Sequence, residues 1–228
     1  SHFANGFLIG SAMMEHDDLN AAVRRVLLGE NKVCGLTREQ DAQAAYEAGA
    51  IYGGLIFVES SPRAVNEEQA RKVVAAAPLS YVGVFRNADI NDVAAKADAL
   101  SLSAVQLHGD EDQAYIDALR HVLATQVQIW KAQSVGATLP ARNLKHVDKY
   151  VLDNGQGGTG QRFDWSLLRG EVLDNVLLAG GLSPDNCVEA AKTGCAGLDF
   201  NSGVESQPGI KDASKLASVR SEERRVGK

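Results

Sequence analysis

Short apolar runs alternate with amphipathic stretches along nearly the whole chain from residue 31 onward. We count eight such pairs, and the apolar runs lie at residues 32–35, 52–58, 81–86, 104–108, 127–132, 149–153, 175–180 and 197–202. Continuous apolar runs of this length are typical of parallel strands that are buried on both faces. Eight strand–helix pairs that close on themselves form an α/β fold of the (β/α)8 TIM-barrel type. An open doubly wound sheet is the alternative, but no GxGxxG motif follows the first strand.

The stretches between the strands carry helical periodicity, for example at residues 67–77 and 91–100. Residue types that favour helix N-termini precede several of these stretches, namely Thr37, Asn66, Asp110 and the run Ser183-Pro184-Asp185. We therefore expect helices to begin directly after these positions.

The two ends of the chain do not fit a barrel of eight units. Residues 7–14 predict a ninth strand, and residues 18–29 predict a helix with one apolar face. At the other end a helix begins near Asp212, but the tail at 220–228 reads RSEERRVGK and has a single apolar residue. We divide the chain into a strand–helix segment at 1–30, a barrel at 31–219 and an atypical polar tail at 220–228. The tail is interpreted as a frayed, solvated end or as a replaced native segment.

Composition excludes several classes of protein. The formal net charge of −6 argues against binding to nucleic acid or to an acidic membrane. Three cysteines without framework spacing argue against a secreted disulfide scaffold and against a zinc site. No apolar stretch of about 18 residues predicts a membrane span, and the start of the chain lacks the basic region of a signal peptide. We therefore expect a cytoplasmic protein.

The chemistry of such barrels lies at the C-terminal ends of the strands and in the loops that follow them. Cys34 ends the first strand and precedes Gly35, where backbone amides can favour a thiolate and make it a general base. Asp153 ends the sixth strand, and a carboxyl group among apolar neighbours can hold a proton and act as a general acid. The alternatives are a small buried hydrophobic residue for Cys34 and a capping residue for Asp153.

Three further polar residues lie at strand ends. Arg63 follows the second strand and could bind a carboxylate with two hydrogen bonds, although a solvated surface arginine is the simpler interpretation. His108 follows the fourth strand as a substrate contact or as a histidine with purely structural partners. Asp199 lies within the eighth strand, where it could tune Cys34 or fill a polar layer of the barrel.

Glycine-rich segments follow strands six, seven and eight. The loops after strands seven and eight form the recurrent phosphate site of this fold, in which backbone amides bind the anion. Gly180-Gly181 and Ser202-Gly203 lie in these two loops, and Gly158 lies in the glycine-rich run after Asp153. These segments predict binding of a phosphorylated small molecule.

Several motifs, taken in order, are similar to those of phosphoribosylanthranilate isomerase. They are NKVCGLT, YGGLIFVESSPR, YVGVFRN, AVQLHG, YVLDNGQGGTGQRFDW, LLAGGL and LDFNSGVESQPGIKD, and they run from about Lys32 to about Asp212. The first thirty residues resemble the last strand and helix of indole-glycerol-phosphate synthase. That enzyme precedes the isomerase in the bifunctional tryptophan-pathway proteins of enteric bacteria, so the chain resembles the isomerase half of such a fusion.

The resemblance implies an Amadori rearrangement, in which an aminoaldose becomes an aminoketose. It assigns the general acid to Asp153, the general base to Cys34 and the anthranilate carboxylate to Arg63. It also places Gly158, Gly181, Ser202 and Gly203 in phosphate-binding segments. It implies no cofactor, because no hydride moves and no electron sink is needed, and it implies no metal. We expect a monomer.

Two other functions remain as alternatives. The related histidine-pathway isomerase performs the same rearrangement on a larger bis-phosphate, but such barrels use Asp where Cys34 stands and carry two similar phosphate sites. A barrel that only binds a sugar phosphate is the second alternative. It would need no acid–base pair, whereas Cys34 and Asp153 are both present.

Overall fold

The computed structural model describes residues 29–154 and 162–225, with side chains to residue 221. Eight parallel strands form a closed barrel in chain order. They are β1 (Lys32–Val33), β2 (Tyr52–Ile56), β3 (Ser80–Phe85), β4 (Ala104–Leu107), β5 (Gln128–Ser134), β6 (Lys149–Asp153), β7 (Val176–Leu178) and β8 (Gly197–Phe200). A short antiparallel pair, β9 (Glu205–Gln207) and β10 (Ile210–Lys211), follows the barrel. The predicted barrel is therefore confirmed, with each strand within a few residues of its expected position.

The barrel closes between its first and last strands. Lys32 is paired with Asp199 and Val33 with Phe200. The amide of Cys34 extends this seam by donating to the carbonyl of Phe200 at 2.8 Å. Because β1 has only two residues, this is a short pairing on which the closure of the whole ring depends.

Six α-helices cover the outside of the barrel within the described residues. They are α1 (Glu39–Glu47), α2 (Glu67–Ala76), α3 (Ile90–Ala99), α4 (Gln113–Val122), α5 (Cys187–Ala191) and α6 (Ala213–Arg225). Asn66 caps α2 as expected, since its side chain accepts from the amide of Gln69 at 2.9 Å.

The other three predicted helix starts are displaced by one to three residues. The residue before α1 is Arg38, because the Thr37 hydroxyl donates instead to the carbonyl of Gly209. Asp112 rather than Asp110 caps α4 by accepting from the amide of Tyr115. Helix α5 begins after Asn186, whose side chain first closes a turn by accepting from the amide of Ser183.

The expected eight helices are not all present. Residues 135–148, all described, connect β5 to β6 without a helix. This segment contains Gly136 and Pro140 and lacks a continuous apolar face, so it has nothing to pack as a helix against the barrel. After β6 the described residues form only a 3₁₀ turn, Trp165–Leu168.

Two apolar layers hold the barrel together. Inside it, alternate residues of the strands form a plug in which the rings of Tyr52 and Trp130 meet edge to face at 4.8 Å. A larger core lies between the strands and the helices. Above the plug, at the C-terminal end of the barrel, Cys34, Ile56 and Val84 form a small separate cluster. The interior of the barrel is therefore apolar up to the C-terminal ends of the strands, where polar side chains follow.

The two ends of the chain correspond to the segments that the sequence sets apart from the barrel. The predicted strand at 7–14, and all but the last residue of the helix predicted at 18–29, lie outside the described residues. At the other end, α6 continues to Arg225, six residues beyond the polar boundary expected at 219. Leu216 and Val219 are buried, so the last helix has an apolar face that precedes the polar tail. No helix in the described part of the chain is long and apolar enough to cross a membrane.

Candidate active site

A cavity of about 670 Å³ lies at the C-terminal end of the barrel, and we call it the active-site cavity. It brings together most of the residues singled out in the sequence. Cys34, Arg63, His108, Asp153, Gly180, Gly181, Asp199 and Ser202 all line it. As expected for this fold, residues at or after the ends of six strands line the same cavity. These strands are β1, β2, β4, β6, β7 and β8.

Cys34 lies at the base of this cavity and is 5 % exposed. The chain passes it in extended form and then turns at Gly35, whose φ of +71° suits glycine. On the neighbouring strand, Gly54 makes room for the thiol, since a Cβ added there would lie 2.7 Å from the sulfur. Burial raises the pKa of the Cys34 thiol, while the adjacent Lys32 ammonium acts in the opposite direction.

Lys32 is a fully buried lysine inside the barrel. Its Nζ lies 2.7 Å from Oδ2 of Asp199, and its side chain and the Cys34 sulfur face the same point of β2 at Gly54. Burial alone would lower the pKa of Lys32, but Asp199 and Cys34 outweigh it, so that the pKa is raised and the lysine stays charged. Asp199, for which the sequence left two roles open, is thus the ionic partner of the lysine beside the thiol.

Asp153 lies across the cavity from Cys34, with β7 and β8 between their strands. It is 6 % exposed, and one of its carboxylate oxygens is 3.5 Å from Nε2 of His108. The strand end itself is held by the Asp153 carbonyl, which accepts from the amide of Val135 at 2.7 Å. His108 thus faces the carboxyl group predicted to be the acid.

Arg63 is buried rather than solvated. Its Nε and Nη2 donate to Glu205 at 2.9 and 2.8 Å, which leaves its Nη1 outside this ion pair. Lys211 also donates to Glu205 at 2.8 Å and reaches the side-chain oxygen of Asn201 at 3.1 Å. Although burial would raise it, the pKa of Glu205 is lowered by Arg63 and Lys211. This network joins the loop after β2 to the β9–β10 hairpin.

Sequence reasoning missed five charged residues in and around the cavity, namely Lys32, Glu111, Lys131, Glu205 and Lys211. Lys131 lines the cavity with its Nζ 2.7 Å from both Glu111 and the carbonyl of Gly109. Glu111 in turn accepts from two backbone amides. Lys32 and Lys131 did carry a signal, since each is a lysine inside an apolar run and buried lysines require partners. Glu205 and Lys211 gave no such signal, because they lie in a hairpin rather than in a strand of the barrel.

The two predicted phosphate loops lie side by side. Gly180 and Gly181 both have positive φ values, +85° and +66°. Ser202 begins a 3₁₀ turn directly after β8. Gly203 is absent from the described cavity lining and packs against the loop after β7 instead, where an added Cβ would lie 2.0 Å from the carbonyl oxygen of Leu182. Gly158 lies outside the described residues.

Three buried acceptors in the cavity wall have no hydrogen-bond partner among the described residues. They are Oε1 of Gln106, Oε1 of Gln133 and Oδ1 of Asp199. Buried acceptors without a partner are rare in folded proteins, and at a cavity surface they are suited to donors on a ligand. The described residues hold no group of three or more side chains that could bind a metal ion.

A closed barrel with a thiol and a carboxyl group facing one cavity, beside two glycine loops, belongs to the TIM-barrel class. The family model for N-(5'phosphoribosyl)anthranilate isomerase matches residues 31–222. The chain belongs to this family. The barrel and the family expected from the sequence are thereby confirmed.

Individual relatives agree with this assignment. The chain is 78 % identical over 219 residues to the tryptophan biosynthesis protein TrpCF of Salmonella typhi, covering 96 % of this chain and 48 % of that protein. It thus spans about half the length of that relative. The phosphoribosyl anthranilate isomerase structure from Thermus thermophilus has a TM-score of 0.76 at 30 % identity, covering 86 % of this chain and 99 % of that one. Another isomerase structure, in complex with reduced 1-(o-carboxyphenylamino)-1-deoxyribulose 5-phosphate, has a TM-score of 0.72 at 29 % identity, with 87 % and 100 % covered.

Proposed function

We propose that this chain converts N-(5-phosphoribosyl)anthranilate to 1-(2-carboxyphenylamino)-1-deoxyribulose 5-phosphate in tryptophan biosynthesis. The observation that carries the proposal is the pair formed by Cys34 and Asp153. Both are almost fully buried side chains that line the same cavity from different strands. A reaction that needs one group to give a proton and another to take one requires such a pair.

Asp153 acts first, as the general acid. Its protonated carboxyl group gives a proton to the ring oxygen of the ribose, and the ring opens to a Schiff base. His108, 3.5 Å from the carboxylate, contacts the sugar at the same place. Cys34 then acts as the general base and removes the proton from carbon 2. The resulting enolamine becomes the ketone, and no electron leaves or enters the substrate.

The two ends of the substrate are bound by charge and by backbone amides. Arg63, fixed by Glu205, offers its free Nη1 to the anthranilate carboxylate. The phosphate binds to amides of Gly180, Gly181, Ser202 and Gly203, with Gly158 contributing from the loop after β6. The unpaired oxygens of Gln106 and Asp199 accept from hydroxyl groups of the ribose between these ends.

The same proposal covers the organisation of the chain. Residues 31–219 form the isomerase barrel, residues 1–30 derive from the end of a preceding synthase barrel, and residues 220–228 are an atypical tail. Relatives about twice as long as this chain support that division.

We propose a monomer, to be checked by analytical ultracentrifugation. A single sedimenting species of dimer mass would contradict it. Three buried cysteines without a disulfide among the described residues favour a cytoplasmic protein.

The function is tested by turnover of freshly made phosphoribosylanthranilate, followed by the loss of its fluorescence. We expect activity in the wild type and a loss of at least about 100-fold in both Cys34→Ser and Asp153→Asn, the usual range for general acids and bases. The matched controls are Cys195→Ser, a buried thiol outside the cavity lining, and Asp117→Asn on α4. Both are expected to retain activity.

Two outcomes would contradict the proposal in different ways. A well-folded wild type without turnover would leave a barrel that binds but does not catalyse. Activity that survived both substitutions would mean that other groups carry the protons, even though the family is correct.

A further inference from the structure

The base proposed above lies in surroundings that oppose its ionisation. Cys34 is packed against Ile56 and Val84, and burial in such a place favours the neutral thiol. Only the thiolate can accept the proton from carbon 2. The structure must therefore contain something that compensates the thiolate, or the reaction would stop at the second step.

Five charged side chains surround the thiol, and we call them with Cys34 the thiol cluster. Lys32 comes from β1, Asp199 from β8, Arg63 from the loop after β2, Glu205 from β9 and Lys211 from β10. The charges of Lys32 and Lys211 lower the pKa of Cys34, whereas the charge of Asp199 raises it, and Arg63 also interacts with the thiolate through its charge. The other charged groups of the cavity wall, Arg86, His108, Asp110, Lys131 and Asp153, lie on the loops and strands β3 to β6.

The charges of the thiol cluster do not balance while Cys34 is a thiol. Lys32, Arg63 and Lys211 are three basic side chains, whereas Asp199 and Glu205 are two carboxylates that pair with them. Burial lowers the pKa of Lys211, and its ion pair with Glu205 acts against this. All five are at least nine-tenths buried, so little solvent screens them. A thiolate at Cys34 is the one additional negative charge that makes the cluster neutral.

Lys32 is the cation placed to act on the sulfur itself. It lies two residues before Cys34, and alternate residues of a strand share a face, so both side chains point into the barrel. A Cβ built on Gly54 would lie 2.7 Å from the Cys34 sulfur and 3.1 Å from Cε of Lys32, which places both side chains against the same point of β2. Asp199 fixes the ammonium group from the other side at 2.7 Å.

We propose that Lys32 is the positioning residue of the general base: anchored by Asp199, its ammonium group faces the Cys34 sulfur and stabilises the thiolate form against the effect of burial. When carbon 2 is deprotonated, its proton forms the S–H bond and the C–H electron pair moves toward the imine. Lys32 keeps its own proton throughout. This inference rests on the proposed role of Cys34 as base, and it adds the group that makes that role possible.

The test measures the ionisation of Cys34 without using turnover. Alkylation by iodoacetamide requires the thiolate, and the peptide that contains Cys34 is quantified by mass spectrometry from pH 6 to pH 10. In Lys32→Met we expect the rate at pH 7.5 to fall about tenfold or more, with the midpoint of the profile at higher pH. Lys32→Arg keeps the charge and is expected to recover most of the rate.

Matched variants separate this effect from a general loss of packing. Lys131→Met removes another buried lysine with a 2.7 Å carboxylate partner, and its Cys34 profile should equal that of the wild type. If Lys32→Met does not fold, Lys32→Gln still donates to Asp199 and carries the same expectation. Circular dichroism confirms the fold of each variant.

The result that would overturn the inference is a Cys34 profile in Lys32→Met or Lys32→Gln with the same midpoint as in the wild type. A fall in kcat with that profile unchanged would make Lys32 merely structural. If the wild type lacks isomerase turnover while its Cys34 profile depends on Lys32, the proposed function fails and the positioning role stands.

Discussion

Buried charges at the active-site cavity all occur in pairs or networks. Glu111 and Lys131 are joined at 2.7 Å, Lys32 and Asp199 at the same distance, and Glu205 receives both Arg63 and Lys211. Taking a charge out of water is costly, and removing one partner leaves the other uncompensated. Each of these residues is thus more sensitive to substitution than its exposure alone would indicate.

The Glu111–Lys131 pair makes stability depend on pH. Burial would raise the pKa of Glu111, but Lys131 and two backbone amides lower it overall. A carboxylate with a lowered pKa stabilises the fold fully above its unfolded pKa of about 4.3, and this contribution is lost as the pH falls through the folded value. We expect Glu111→Gln to lower the free energy of unfolding by about 3 kcal/mol at pH 7, and by progressively less below about pH 4.

Urea unfolding at pH 7 and at pH 3.5 measures this difference. The control is Glu171→Gln, which breaks the ion pair between Glu171 and Arg142. The side chain of Glu171 is 45 % exposed. It should cost at most about 1 kcal/mol. An equally large deficit of Glu111→Gln at both pH values would rule out the ionic origin and leave only a packing defect.

At the residue scale the sequence predicts end-of-strand side chains better than their partners. Cys34, His108 and Asp153 were located from the strand pattern alone, because a strand that ends marks the rim of a barrel. The pairing of Arg63 with Glu205 could not be predicted in this way. The two lie 142 positions apart, and only the folded ring brings the β9–β10 hairpin beside the loop after β2.

At the scale of elements, the loops after β7 and β8 behave as one unit. Gly203 lies so close to the carbonyl of Leu182 that any side chain must push the two loops apart. Both loops belong to the proposed phosphate site. A change in their spacing therefore moves the backbone amides that would bind the anion.

Gly203→Ala tests this coupling. We expect the KM for phosphoribosylanthranilate to rise about tenfold and the free energy of unfolding to fall by about 1–3 kcal/mol, the usual cost of an overpacked site. Kinetics and urea unfolding measure the two effects. Gly136→Ala is the control, because nothing lies within 4 Å of the added methyl group. Unchanged KM in Gly203→Ala would separate this contact from substrate binding.

Elements were predicted where apolar periodicity is strong and failed where it is weak. All eight strands follow from apolar runs that are buried on both faces, and helix α2 follows from a run with one apolar face. The missing helix at 135–148 follows from Gly136, Pro140 and the lack of an apolar face, and the shifted start of α5 follows from a local side chain that takes a hydrogen bond near the helix start. The exact start of such a helix depends on one or two hydrogen bonds, for example the one from the Ser183 amide to the Asn186 side chain.

For the molecule as a whole, the β1–β8 seam is one of three pairings in the ring that span only two residues, together with β1–β2 and β7–β8. The strands pair over two residues there, whereas β3 and β4 pair over four. Local opening follows the lines of weakest bonding. We expect the amide of Cys34 to show a protection factor at least about tenfold lower than that of His108 in native-state hydrogen exchange.

The two amides form a matched pair. Each follows the last residue of its strand and donates to the neighbouring strand at 2.8 Å. Equal protection factors would mean that the ring opens only as a unit. A bound phosphorylated product analogue, which contacts both sides of the seam, should raise the protection of Cys34 more than that of His108.

The seam also has a consequence for how this protein should be assayed as it folds. Lys32 and Asp199 are 167 positions apart in sequence, and they meet only when the last strand reaches the first. A chain with seven strands in place already contains Cys34, but it lacks the anion that holds the lysine against the sulfur. The rate at which the Cys34 thiol reacts during refolding therefore reports when the ring closes. This measurement is made at a single sulfur atom and does not depend on a spectroscopic signal from the helices.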